Sequence, residues 1–191
     1  MRILGLGGSL REGSFNRALL HEAAAVAPPG AEVDLDHVGL VGALPLFNED
    51  IVDRDGPLPE VGRLKDALRT ADGLLIATPE YNWSVPGFLK NAIDWASRPS
   101  SEIPDVFGDL PVALIGAGGG AGTRVAQTAW MPVFRYLRMR PWSGETLFVE
   151  RARERFDEHG RLSDPASREQ LRTVIASFAA HCAAAPRTRP P

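Results

Sequence analysis

The sequence predicts a three-layer α/β sandwich: a five-stranded parallel sheet of order 2-1-3-4-5 with helices on both faces. Two observations carry this. Short apolar runs of strand length alternate with amphipathic runs of helix length along the 191 residues. The runs 73–78 and 110–116 are apolar throughout, as strands covered on both faces are. Crossovers in such sheets are right-handed. With this order the switch point lies between the first and third strands, and the loops 7–16 and 79–86 face each other across one crevice.

Residues 2–6 make a short apolar first strand. A Gly/Ser loop leads into a helix from Ser14 or Phe15 to Val26, where Leu19, Leu20, Ala23 and Val26 share a face. Pro28, Pro29 and Gly30 stop it. Residues 32–38 alternate Val33 and Leu35 with Asp34 and Asp36, as an edge strand does. Residues 39–59, with Pro45, Pro57 and Pro59, read as a long irregular connection. Such a loop is uncommon unless it covers something, and it either rims a site or covers the core. Residues 60–71 form a helix with Val61, Leu64 and Leu68 at helical spacing. The central strand 73–78 follows, then a helix over 86–96 opened by a proline suited to a first turn. A strand over 110–116, a glycine cluster over 116–122 and a helix over 123–137 come next. A strand over 145–149 and a helix over 165–180 complete the pattern. One domain is expected over residues 1–185, with a disordered tail over 186–191.

Bulk composition excludes several classes of function. A net charge of −3 argues against general binding of nucleic acid or anionic membranes. The histidines His21, His37, His159 and His181 are scattered without metal-ligand spacing, and no metal site is expected. Cys182 is the one cysteine, and it reads as a small buried apolar residue in the last helix. The N-terminus resembles a first strand more than a signal peptide, and no apolar run approaches membrane-spanning length. A cytoplasmic location is the expectation.

The loop Gly7-Gly8-Ser9-Leu10-Arg11-Glu12-Gly13-Ser14-Phe15-Asn16 opens the first helix. A helix N-terminus carries unpaired N–H groups and partial positive charge, so it attracts a phosphate. Ser9, Ser14 and Asn16 add neutral donors, and Arg11 a charged one. A tight turn with Ser14 as N-cap accounts for the same residues without a ligand. The P-loop pattern is missing, and no lysine precedes Lys65. That suits a monophosphate held for recognition. Across the crevice, Tyr81 and Trp83 offer flat faces, and Asn82 and the backbone offer hydrogen bonds. That combination suits a flat heterocycle.

Two motifs carry a family resemblance. They are Gly8-Ser9-Leu10-Arg11-x-x-Ser14-x-Asn16 and Pro79-Glu80-Tyr81-Asn82-x-Ser84-x-Pro86-Gly87-x-Leu89-Lys90-Asn91-Ala92-Ile93-Asp94-Trp95. With them the chain resembles the NADPH-dependent FMN reductase family, which has the flavodoxin-like fold and includes quinone, chromate and azo-dye reductases. The similarity spans roughly residues 2–150. The resemblance implies that Ser9, Arg11, Ser14 and Asn16 bind the FMN phosphate, with Phe15 in the same turn. It implies that Pro79, Glu80, Tyr81 and Asn82 lie along the isoalloxazine ring, largely through backbone. Trp83 would be exposed near the flavin or a partner subunit. The loop Gly116–Gly122, with Gly116, Gly118 and Gly119, would approach the pyrimidine side of the ring. Many relatives have a serine where this chain has Gly116. NADPH (or NADH) would be the co-substrate, and a quinone, azo compound, metal ion or free flavin the small-molecule acceptor. A homodimer or homotetramer with FMN near the interface is implied. The chemistry belongs to the cofactor, so no catalytic side chain is assigned. Backbone N–H groups of the glycine loop, or Arg124, would stabilise charge on the reduced ring. Glu80 is either an acid–base group or a carboxylate that shapes its loop.

Two other readings stay open. A non-catalytic FMN electron carrier would share the fold, although carriers of this kind tend to be strongly acidic for docking. A Rossmann-type nicotinamide binder would use Gly116-x-Gly118-x-x-Ala121 with Glu150 on the ribose, but little chain follows to build a second half. Trp130 and Trp142 read as core or interface aromatics. Arg124, Arg135, Arg138 and Arg140 read as a solvated face or as contacts to the NADPH 2′-phosphate.

Overall fold

Side chains alternate across each strand, so a sheet covered on both faces needs apolar residues at successive positions. In the computed structural model, which describes residues 1–37 and 39–188, the strands are β1 (Arg2–Gly7), β2 (Glu32–Asp34), β3 (Gly73–Ala77), β4 (Pro111–Ala117), β5 (Arg140–Pro141) and β6 (Leu147–Val149). The helices are α1 (Phe15–Ala25), α2 (Leu40–Ala43), α3 (Glu49–Asp55), α4 (Pro59–Thr70), α5 (Gly87–Ala96), α6 (Ile103–Val106), α7 (Arg124–Ala129), α8 (Met131–Tyr136), α9 (Ala152–Arg155) and α10 (Pro165–Ala184). All strand pairs are parallel, in the order β2-β1-β3-β4-β5, with β6 also on β4. The arrangement is flavodoxin-like, as expected. Leu4, Leu6, Leu74, Ile76 and Val112 pack beneath α4 and α5 on one face. Ile3, Leu75, Ala77, Ala113 and Ile115 pack beneath α1 and α10 on the other.

Four expectations are corrected. The fifth sheet position is not one strand over 145–149: β5 and β6 share the edge of β4. The N–H groups of Arg140 and Trp142 donate to the Leu110 and Val112 carbonyls at 3.0 and 2.8 Å. Pro141, between them, therefore turns its missing donor to the open edge, where proline is tolerated. The chain then loops out around the Trp142 ring and rejoins at Leu147. The second strand ends early, because the Asp34 carboxylate accepts from the Asp36 N–H at 2.9 Å and starts a turn. Val38 lies outside the described residues. The helix over 123–137 is two helices. Pro132 has no N–H for the preceding turn, and the break falls at Trp130. The connection over 39–59 holds α2 and α3 and covers the core. The Pro45 carbonyl accepts from Asn91 Nδ2 and Trp95 Nε1 at 2.9 and 2.8 Å, and Phe47 meets the Trp95 ring edge-on at 5.0 Å.

The tail also departs from expectation. Arg187 is buried, and its guanidinium is bonded to main-chain carbonyls of the α4 and α6 ends. Residues 189–191 lie outside the described residues. Trp130 is a core residue, and Trp142 packs on Phe178 of α10. Cys182 is buried against Gly73, and burial pushes its thiol up to about 11. A thiol so placed is unreactive.

Candidate active site

Gly8 brings the two expected loops together. Its N–H donates to the Ala77 carbonyl at 2.9 Å, and a Cβ on it would lie 2.5 Å from Pro79 Cδ and 3.0 Å from Pro86 Cγ. Only glycine permits this closeness. A cleft of about 470 Å³ opens above the contact, at the carboxyl edge of β1, β3 and β4. Ser9, Arg11, Ser14, Phe15 and Asn16 line one wall. Pro79, Glu80, Tyr81, Gly118 and Gly119 line another.

At the phosphate end, Ser14 caps α1 by accepting from the Arg17 N–H at 3.3 Å, and it still lines the cleft. The N–H groups of Ser9, Arg11 and Ser14 donate to no group among the described residues. The Arg11 guanidinium donates to the Gly13 carbonyl at 2.8 Å and lies over the Phe15 ring. Asn16 does something else. Its Nδ2 donates to the Ala117 carbonyl and its Oδ1 accepts from the Ala117 N–H, both at 2.9 Å. The carboxamide therefore braces α1 against the end of β4, and only one amide hydrogen is left for a ligand.

The aromatic loop is a two-residue hairpin. The Tyr81 and Ser84 main chains exchange hydrogen bonds at 3.2 and 3.0 Å. Asn82 and Trp83 at its tip have φ of 51° and 60°, the sign of a type I′ turn. Neither lines the cleft, and Trp83 is 78% exposed. Asparagine tolerates this backbone; tryptophan does not favour it. Trp83→Gly is thus expected to stabilise the protein by about 0.5–1 kcal/mol, read as a raised denaturant midpoint at unchanged slope.

Glu80 shapes its loop. Its carboxylate accepts from the Val125 and Ala126 N–H groups at 2.9 and 3.0 Å, which caps α7 across the cleft. Thr78 holds the loop's start by donating to the Pro79 carbonyl at 2.9 Å and accepting from Trp130 Nε1 at 3.2 Å. Gly116 lies below the cleft, packed against Thr123 and the Thr78 carbonyl, and does not line it.

Ala117 and Gly120 of the expected glycine loop also line the cleft, and the remaining wall, residues 151–154, was missed by sequence reasoning. The N–H groups of Arg151 and Ala152 donate to the Gly119 and Gly118 carbonyls, both at 2.9 Å, and pin α9 to the glycine loop. The parallel pairing of β6 with β4 was the available signal, since it sets the two carboxyl-end loops side by side.

The donors fit a monophosphate, and the open glycine wall fits a flat ring. The volume falls within the roughly 300–1,000 Å³ usual for small-molecule sites. A family model described as NADPH-dependent FMN reductase matches residues 1–154. The chain belongs to that family. It is 41% identical to an NAD(P)H-dependent FMN reductase of Pseudomonas aeruginosa, over 92% of this chain and 91% of that one. It is 40% identical to a 2-hydroxy-1,4-benzoquinone reductase of a Burkholderia species, over 94% and 95% of the two chains. A solved flavoenzyme NAD(P)H:(acceptor) oxidoreductase from Paracoccus denitrificans superposes with a TM-score of 0.82 at 28% identity, covering 97% of this chain and 98% of that one. The chain is an FMN-dependent NAD(P)H oxidoreductase.

Family membership also settles the rival assignments. The glycine cluster does not present a free helix N-terminus to a dinucleotide, because the Glu80 carboxylate takes the Val125 and Ala126 N–H groups of α7. Glu150 does not await a ribose: Arg124 Nη1 binds its carboxylate at 2.5 Å while stacking on Phe148. Arg124 is thereby also removed from the cleft.

Proposed function

We propose that this cleft holds FMN with its phosphate in the 9–16 loop and its ring between residues 79–81 and 118–119, and that the protein reduces small quinone-type acceptors. The observation that carries this is the convergence of unpaired N–H donors and an open glycine wall on one cleft, with Gly8 locking the two loops together. FMN when bound supplies the hydride chemistry between NAD(P)H and the acceptor. Ser9, Ser14, Arg11 and the α1 N-terminus hold the phosphate by hydrogen bonds and charge. The N–H group of Gly120 donates to no group among the described residues and would meet negative charge on the pyrimidine side, while Gly119 and Gly122 pair with each other and fix the loop. Tyr81, 47% exposed, offers a flat face for a planar acceptor. No side chain is required as acid or base.

Among the described residues no helix is long and apolar enough to cross a membrane. A cytoplasmic, homodimeric or homotetrameric protein with one domain over residues 1–185 belongs to this reading. The exposed Leu10, Tyr81 and Trp83 near the cleft favour a subunit contact there.

The test is the anaerobic visible spectrum of FMN-reconstituted, desalted protein. Retained flavin colour that NADPH bleaches and benzoquinone restores is expected. Colour that NADPH cannot bleach would refute the reductase reading. Arg11→Ala is expected to weaken FMN binding by about 1.5–3 kcal/mol, since a charge-assisted bond is lost. Quenching of flavin fluorescence measures it, and an unchanged dissociation constant would remove Arg11 from the phosphate site.

A further inference from the structure

The cleft holds more positive charge than one monophosphate needs. Arg151, just before α9, and Arg153 within it line the cleft, and neither guanidinium has a hydrogen-bond or ion-pair partner among the described residues. Most other arginines are engaged. Arg124 is paired with Glu150, Arg140 with Asp109, and Arg155 with Asp164. Arg135 and Arg138 do not line the cleft. The backbone that carries Arg151 and Arg153 is fixed, because the Arg151 and Ala152 N–H groups bond the glycine-loop carbonyls and the Glu154 N–H donates to the Arg151 carbonyl at 2.8 Å.

The opposing charge is small. Two carboxylates line the cleft, Glu80 and Glu154. The Glu80 charge is met by the α7 amides. Glu154 alone faces two free guanidiniums, so the α9 rim is net positive. Two free guanidiniums beside a phosphate loop suit a second polyanion visiting the same cleft, and guanidinium forks match phosphate oxygens two at a time.

We propose that Arg151 and Arg153 bind the phosphates of the nicotinamide dinucleotide and set a preference for NADPH through its 2′-phosphate. This rests on the FMN reading of the cleft. It replaces the 2′-phosphate role considered for Arg124, Arg135, Arg138 and Arg140. The FMN phosphate stays with Ser9, Arg11 and Ser14, so the two anions have separate cations.

The test compares the FMN-loaded parent with Arg153→Ala and with Arg151→Asn/Arg153→Ala. Asparagine is chosen at 151 because φ there is 48°. Calorimetric titration with NADP⁺ and NAD⁺ gives binding without turnover, and steady-state rates with NADPH and NADH give kcat/KM. The double variant is expected to bind NADP⁺ about tenfold more weakly and to lose most of the NADPH-over-NADH ratio in kcat/KM, with NAD⁺ binding changed less and the FMN dissociation constant within twofold. A tenfold loss of FMN affinity with the coenzyme ratio intact would assign the pair to the flavin phosphate and overturn the proposal. Unchanged binding of both would show solvated arginines and also overturn it. Failure of the parent itself to oxidise NADPH would refute the reductase reading instead.

Discussion

Arg187→Ala is expected to lower the unfolding free energy by about 3–5 kcal/mol, as breaking a buried charged network does. The last carbonyls of a helix have no partner within it. Here one side chain supplies partners for two helix ends. Arg187 Nη1 donates to the Leu68 and Arg69 carbonyls of α4 at 2.7 and 3.3 Å. Its Nη2 donates to the Asp105 and Val106 carbonyls of α6 at 2.8 and 3.0 Å, and its Nε to the Gly108 carbonyl at 3.0 Å. A cation at helix C-termini is also favoured by their dipoles. Only 7% of the residue is exposed, so water cannot take its place without opening the packing. Alanine would strand these carbonyls in the interior. Lysine would recover little, since a single ammonium cannot reach carbonyls spread across a planar fork. The melting temperature should fall by about 10 °C, given about 2–4 °C per kcal/mol for a chain of this size. The clip lies at the amino edge of the sheet and the cleft at the carboxyl edge, so FMN affinity should not move. A deletion of residues 187–191 that costs as much as the point change would place the effect in this side chain. A melting temperature equal to the parent's would show that water replaces it.

That clip marks the limit of what the sequence disclosed. The strand order was legible because β3 and β4 are apolar throughout, β1 is apolar after Arg2, and the intervening helices have clear spacing. The cleft was legible because residues 8–16 and 79–95 are long motifs on facing loops. Three things were hidden for separate physical reasons. Arg187 sits among Pro186 and Thr188 with no local periodicity, and its value comes from carbonyls about 80 to 120 residues away in sequence. The split of the fifth strand depends on which way the Pro141 nitrogen faces, which is a tertiary matter. The α9 wall depends on Arg151 taking a left-handed backbone, φ 48°, that an arginine does not advertise. Asn16 illustrates a subtler loss. It lines the cleft, yet its amide is committed to Ala117 by packing that no spacing reveals.

Gly116→Ser is expected to damage both stability and flavin binding, although the family pattern puts a serine near this point. A Cβ at 116 would lie 1.9 Å from Thr123 Oγ1, 2.9 Å from Thr123 Cβ and 2.6 Å from the Thr78 carbonyl. Thr123 is wholly buried and cannot simply turn aside. Its hydroxyl accepts from Gln127 Nε2 at 3.1 Å, and the same amide nitrogen donates to the Leu147 carbonyl at 3.2 Å. In this chain Thr123 thus fills the space a serine side chain would need. Forcing both in would part β4 from the Thr78 backbone that leads into the ring loop, or would expel the head of α7. Overpacking of this kind costs about 1–3 kcal/mol, and the displaced loops should weaken FMN binding at least about tenfold. The Gly116→Ser/Thr123→Gly pair should regain part of the loss, with a coupling of about 1–2 kcal/mol between positions in direct contact. Recovery should be incomplete, because the Thr78 carbonyl stays where it is. Denaturant midpoints and FMN titrations of the parent, the two single variants and the pair decide it. Additive single effects would mean that the two side chains do not compete for the same space, and that the glycine is there for another reason.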